Sequence, residues 1–286
     1  MASRNTRVES ATAPVPGEFQ VRPLKPFGVE VEGDLSRPLS PQASDFLVDL
    51  VYAHGLVLAR RQSLTHAQQT SLVAHFGPVM GVGKEMEYVA PDDGILNADA
   101  LAFHSDMAFC PKPSEIISLH AVDVNDGETC TRFASGYLAY ERLNPDQRER
   151  LSKLTAAQVS NKTIVRVVGY DIPASAHRLD RPAIIPHRST GQPVLYVTEA
   201  QTARFNELSR AESDALLADL FEILYGPDAV FEHYWTLGDL IIWDNHILQH
   251  GRPGFHNVKR RKLQRACVGE FSVTEQIENF VFADPV

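Results

Sequence analysis

His104-Ser105-Asp106, followed far downstream by His250, brings two imidazoles and one carboxylate into a single chain. That is the donor set of a mononuclear non-haem Fe(II) centre, in which three protein ligands leave the remaining octahedral positions open to exchangeable ligands. The chemistry such a centre performs is oxygenation. Side chains of an extended segment alternate faces, so the spacing predicts one short strand that presents His104 and Asp106 together while Ser105 points away. His250 lies just past the apolar run Leu240-Ile241-Ile242-Trp243, which reads as a buried strand. The third ligand is therefore expected from a neighbouring strand. A His-x-Asp pair taken alone is ordinarily a surface pair or a hydrogen-bonded histidine. No other histidine here has Asp or Glu two residues on.

A second group of residues narrows the reading. Read as a strand, Arg261-Lys262-Leu263-Gln264-Arg265-Ala266-Cys267 puts Arg261, Leu263, Arg265 and Cys267 on one face. The two guanidinium groups are then about 13 Å apart along the strand at ~3.3 Å per residue. Burying arginine without an anion is costly, so an interior pair implies anionic ligands. The bland alternative is a solvated face with two surface charges.

The order His104-x-Asp106, Gly127-Glu128-Thr129, Gly238-Asp239, Trp243-Asp244-Asn245, His250, then Arg261 and Arg265 resembles the taurine and 2,4-dichlorophenoxyacetate dioxygenases. The resemblance runs from about Phe27 to Phe271 and includes Phe76-Gly77-Pro78 and Leu195-Tyr196-Val197. It implies a β-rich α+β fold with a double-stranded β-helix, or jelly-roll, core and flanking helices. It also implies Fe(II) as the metal, with 2-oxoglutarate and O2 as cosubstrates. Carried over residue by residue, His104, Asp106 and His250 bind iron. Arg261, with Thr129 assisting, holds the distal carboxylate of 2-oxoglutarate. Arg265 matches the arginine that holds the substrate's anionic group in members acting on sulfonates or aryloxy acids. A planar guanidinium meeting a carboxylate bidentately suits both arginine assignments.

Some positions depart from the pattern. The threonine motif reads Asp126-Gly127-Glu128-Thr129, which keeps the hydroxyl and alters the turn before it. The paired His-Pro steps of the family are half matched by Arg181-Pro182 and His187-Arg188. Between Pro78 and Phe103 there is no histidine, whereas the taurine enzymes use one there against the sulfonate. A carboxylate is thus expected in preference to taurine. Halogenating relatives replace the iron-binding carboxylate with a small residue, and Asp106 is present, so hydroxylation is the expected outcome.

The elements that must position these residues can be read coarsely. Helices are expected at 42–54, at 65–76 opened by Thr65 with Gln68, at 145–154 capped by Asn144 with Pro145 first, and at 210–224 opened by Ser209 with Glu212. Strands are expected near 56–60, 115–123, 161–169, 194–198, 230–236, 239–243 and 262–271. Trp243, Phe231 and Tyr234 read as core, and Asp244 and Asn245 as shaping the turn that delivers His250. His246 is expected to be structural or exposed. Phe103 and Phe109 flank the metal segment and suit either a pocket wall or the core.

At 286 residues and 44% hydrophobic content, one domain over 19–286 is expected, preceded by a flexible lead-in over 1–18. The net charge of −9 gives no broad basic surface for nucleic acid. Three cysteines without a Cys-x-x-Cys pair indicate neither a disulfide framework nor a zinc knuckle, and a cytoplasmic location is expected. There is neither the apolar core of a secretory signal nor a run long enough to span a bilayer. The expected partner is a small-molecule substrate, an organic acid, and the resemblance allows a homo-oligomer. Two other readings stand beside this one. A catalytically silent jelly-roll could bind a small anion or a protein, and a Zn(II) hydrolase could use the same three ligands but would leave Thr129 and Arg261 without a role.

Overall fold

The structure is a computed structural model that describes residues 19–80, 88–90, 98–160, 177–271 and 275. In chain order the first elements are β1 (Gln20–Pro23), β2 (Val29–Glu32), α1 (Pro41–His54), β3 (Leu56–Ala59), α2 (His66–Val73), β4 (Tyr88–Val89), β5 (Leu101–His104), β6 (Ile116–Val124) and β7 (Cys130–Ser135). Then come α3 (Gly136–Arg142), α4 (Pro145–Leu151), β8 (Thr155–Val159), β9 (Arg178–Pro182), β10 (Ile184–Pro186), β11 (Pro193–Leu195) and β12 (Thr202–Phe205). The last are α5 (Arg210–Tyr225), β13 (Val230–Tyr234), β14 (Leu240–Asp244), β15 (Leu248–Arg252) and β16 (Arg261–Val268).

Two sheets face each other. The larger runs β1-β2-β3-β14-β6-β16-β4 and the smaller β13-β7-β15-β5. Between them lies a core to which β14 contributes Ile241 and Trp243, β6 Ile117 and Leu119, β16 Leu263 and Cys267, β7 Phe133 and β15 Leu248. The other face of the larger sheet, with Leu240, Ile242, Ala266 and Val268, is covered by Phe46, Leu47 and Leu50 of α1 and Leu72 and Val73 of α2. A strand buried on both faces has no reason to alternate, which is why 240–243 is continuously apolar. Helices α3, α4 and α5 pack with β8, β11 and β12 in a third cluster.

Helix starts follow local chemistry. Thr65 with Gln68, Asn144 with Gln147 and Ser209 with Glu212 each form a capping box that satisfies otherwise orphaned N–H groups. The helix expected over 65–76 ends at Val73, and that expected over 145–154 ends at Leu151. The strand expected at 161–169 falls outside the described residues. Trp243 is fully buried and Phe231 packs on the inter-sheet core, but Tyr234 is 52% exposed, which corrects its reading as core. Tyr234 lies on β13, an edge strand of the smaller sheet. Phe103 is buried and stacked on Tyr225 at 4.3 Å, and Phe109 stacks near His177 at 6.5 Å. Among the described residues no helix is long and apolar enough to cross a membrane.

Candidate active site

β5 and β15 are antiparallel neighbours with His104 opposite His250, and the two rings lie 4.2 Å apart. His250 sits against Trp243, 5.0 Å between ring centres, on the inter-sheet side. His104 Nδ1 lies 2.9 Å from the Ala102 carbonyl. A carbonyl only accepts, so Nδ1 carries a hydrogen there, and Nε2 is the nitrogen turned toward Asp106. His104 Nε2 and His250 Nε2 stand 3.4 and 3.7 Å from one oxygen, Asp106 Oδ1. One ligand atom from each of the three residues falls within 4.8 Å of the others.

Asp106 reaches this point differently from the sequence expectation. The strand stops at His104. Ala108 N–H donates back to the Ser105 carbonyl at 3.1 Å and Met107 takes a φ of 63°, so Ser105 to Ala108 form a turn. One extended strand carrying both ligands is therefore corrected to a strand end plus a turn. Two buried amides hold that turn. Gln201 accepts from Ser105 N–H at 3.2 Å and donates to its carbonyl at 2.9 Å. Asn245 accepts from Asp106 N–H at 2.9 Å and donates to its carbonyl at 3.0 Å. Asn245 lies in the turn that leads to His250, and these bonds add a role across the site that the sequence did not signal. Asp244 shapes that turn, its Oδ1 accepting from His246 N–H and Ile247 N–H.

The protonation states suit a metal. Burial alone would raise the Asp106 carboxyl, but the surroundings supplied by the His104 and His250 imidazoles and the Arg265 guanidinium outweigh it, holding the group well below the usual carboxylate range. Desolvation, then neighbouring His104, pushes the His250 imidazole down to about 3. Metal binding needs an ionised carboxylate and neutral imidazoles. Asp106 and His250 are already in those states near neutrality.

β16 crosses beside this cluster. Its register against β6 shifts next to Lys262, but the extra residue, Val122, is on β6, so the two-residue alternation of β16 survives. Arg261 is 3% exposed, with its guanidinium 5.0 Å from the centre of the Phe255 ring and Nη2 at 3.5 Å from Thr131 Oγ1. Trp235 N–H donates to the Thr129 carbonyl at 2.9 Å, which extends the β13–β7 ladder by one residue, so Thr129 and Thr131 share a face. The Thr129 hydroxyl is buried and has no hydrogen-bond partner among the described residues. A hidden hydroxyl near a buried guanidinium fits a ligand carboxylate. Arg265 Nη2 donates to Asp106 Oδ2 at 2.8 Å, so the anion facing it here is the protein's own carboxylate. Sequence reasoning missed Gln201 and Phe255, which no motif signals.

The chain matches the taurine catabolism dioxygenase TauD, TfdA family over residues 20–267. This protein belongs to that family. It is 27% identical over 274 residues to the 3-((Z)-2-isocyanoethenyl)-1H-indole synthase of Fischerella ambigua, covering 88% of this chain and 96% of that one. Against the alpha-ketoglutarate-dependent 2,4-dichlorophenoxyacetate dioxygenase of Cupriavidus pinatubonensis it is 25% identical over 274 residues, covering 86% and 95%. Among solved structures, AAD-2 in complex with Mn(II) and N-oxalylglycine superposes with a TM-score of 0.74 at 24% identity, covering 89% of this chain and 98% of that one. The two facing sheets are thus the jelly-roll of this family, and the protein is a dioxygenase that uses Fe(II), 2-oxoglutarate and O2. Its substrates are small molecules.

Proposed function

We propose that the enzyme hydroxylates a C–H bond of a small organic acid, with conversion of 2-oxoglutarate to succinate and CO2. The observation that carries this reading is the meeting of His104, Asp106 and His250 at one point, with the carboxylate retained. These three would hold iron, which supplies O2 activation when bound. Arg261 and Thr129 would hold 2-oxoglutarate, the guanidinium through charge-assisted hydrogen bonds and the hydroxyl through its unmet capacity. Arg265 would orient the substrate's acid group next to the metal, sharing its guanidinium between that group and Asp106.

One observation favours a second reading. Because Asp106 already faces Arg265 at 2.8 Å, Arg265 could serve that carboxylate alone and the substrate could be neutral. The relatives are named for an isocyanoethenyl indole and for 2,4-dichlorophenoxyacetate, so the family name does not decide between them. A screen of carboxylates, sulfonates, sulfate esters and matched amides for substrate-stimulated succinate does. The acid reading expects the amides to be poor substrates and Arg265→Ala to erase the preference. Neutral analogues turned over as well as the acids, with the same ranking in Arg265→Ala, would overturn it. His104→Ala and His250→Ala are expected to abolish iron-dependent turnover; near-normal activity in either, with iron still bound stoichiometrically, would remove the metal assignment.

A further inference from the structure

We propose that Gln201 and Asn245 are positioning residues that set the metal-binding geometry of Asp106 through the backbone of the Ser105–Asp106 turn; this rests on Asp106 being a metal ligand. A ligand on a strand is aimed by its ladder. Asp106 is past the end of β5, so the ladder that fixes His104 and His250 does not reach it. In place of a neighbouring strand, each of two consecutive residues has both its N–H and its carbonyl taken by one side-chain amide. A primary amide is a neutral side chain that offers an acceptor and a donor side by side, as a paired strand residue does. The two amides come from different parts of the fold: Gln201 immediately precedes β12 and Asn245 immediately follows β14.

Further contacts fix which way each amide faces. The Thr198 hydroxyl donates to Gln201 Oε1 at 3.3 Å, and Asn245 Nδ2 also donates to the Ser114 carbonyl at 2.8 Å. Gln201 is 6% exposed and Asn245 is fully buried, so water does not compete for these bonds. Beyond the turn, the Arg181 guanidinium donates to the carbonyls of Ala108, Cys110 and Pro111, holding the segment that leads away. Outer-shell groups that orient a ligand alter metal affinity when removed. Residues that merely fill space alter folding instead, and that difference makes the proposal testable.

The experiment measures Mn(II) affinity by electron paramagnetic resonance, the Co(II) absorption spectrum at saturation, and the melting temperature of the metal-free full chain. Gln201→Met keeps the length of the side chain and deletes the amide. It is expected to weaken Mn(II) about 10–100-fold and shift the Co(II) bands; the buried groups it leaves unpaired lower the metal-free melting temperature modestly, with the chain still folded at the temperature of the titration. Gln201→Glu, which keeps the acceptor for Ser105 N–H, is expected to recover part of the affinity. Asn245→Ala also loses the Ser114 bond and empties part of a fully buried site, and is expected to lower the melting temperature further, so Gln201→Met is the decisive variant. Parent-like Mn(II) affinity and Co(II) spectrum in Gln201→Met, with Asp106→Ala binding weakly, would overturn the positioning role and leave the metal assignment standing. Parent-like binding in Asp106→Ala would overturn both.

Discussion

Arg261 and Arg265 stand four residues apart on one face of β16 yet meet different surroundings, Phe255 and Thr131 in one case and Asp106 in the other. If Arg261 grips 2-oxoglutarate in a desolvated site, Arg261→Ala should weaken the cosubstrate by on the order of 2–5 kcal/mol. Arg261→Lys should restore little, because an ammonium keeps the charge without the planar fork. Thr129→Val supplies a second measure. It should cost cosubstrate affinity about 1 kcal/mol while the cosubstrate-free protein keeps or gains stability, since the buried hydroxyl it removes has no partner among the described residues. Titrating 2-oxoglutarate into each metal-loaded variant checks both; an unchanged requirement in Arg261→Ala moves the anchor elsewhere. The three residues that meet at the candidate site could be picked out of the sequence because few residue types can do this chemistry. Gln201 could not, because an amide's role depends on what the fold places opposite it.

At the scale of elements, legibility followed burial and local capping. β14, apolar on both faces, and the three helices opened by capping boxes carry signals contained in a few consecutive residues. β1 and β9 expose much of their length, and β5 is four residues long, so their pairing is decided by partners remote in the chain. β7, Cys-Thr-Arg-Phe-Ala-Ser, mixes small, polar and aromatic residues because it lies between β13 and β15 and borders the site. α3 was missed because it starts with glycine, a poor helix former. That glycine has a packing reason. A Cβ on Gly136 would lie 2.5 Å from the Leu195 carbonyl oxygen and 2.8 Å from Val194 Cγ1, both on β11. Gly136→Ala should therefore destabilise by about 1–3 kcal/mol as overpacking pushes α3 off β11. Urea unfolding measures it, and a neutral or stabilising outcome would mean the helix shifts without cost.

Across the whole molecule, the layers that enclose the site also cover other histidines, wholly or in part. His246, within the turn that delivers His250, lies among Tyr196, His187, Asp244, Arg181 and Arg188. Desolvation pushes its imidazole down to about 4, against the pull of Asp244 and with the nearby cationic groups adding to the effect. His54 and His120 are lowered too, both chiefly by burial. Between the ordinary histidine value near 6.5 and about 4, the unfolded chain therefore binds protons that the folded chain refuses. Stability is at its full value above that window and falls as pH drops through it. For His246 the slope is at most about 1.4 kcal/mol per pH unit. His246→Phe keeps an aromatic ring against Tyr196 and removes the titration. Urea unfolding of the metal-free enzyme between neutral pH and about pH 5 should show a shallower decline in this variant than in the parent. Parallel declines would mean that His246 is protonated in the folded state as readily as in the unfolded one, and that the acid sensitivity arises elsewhere.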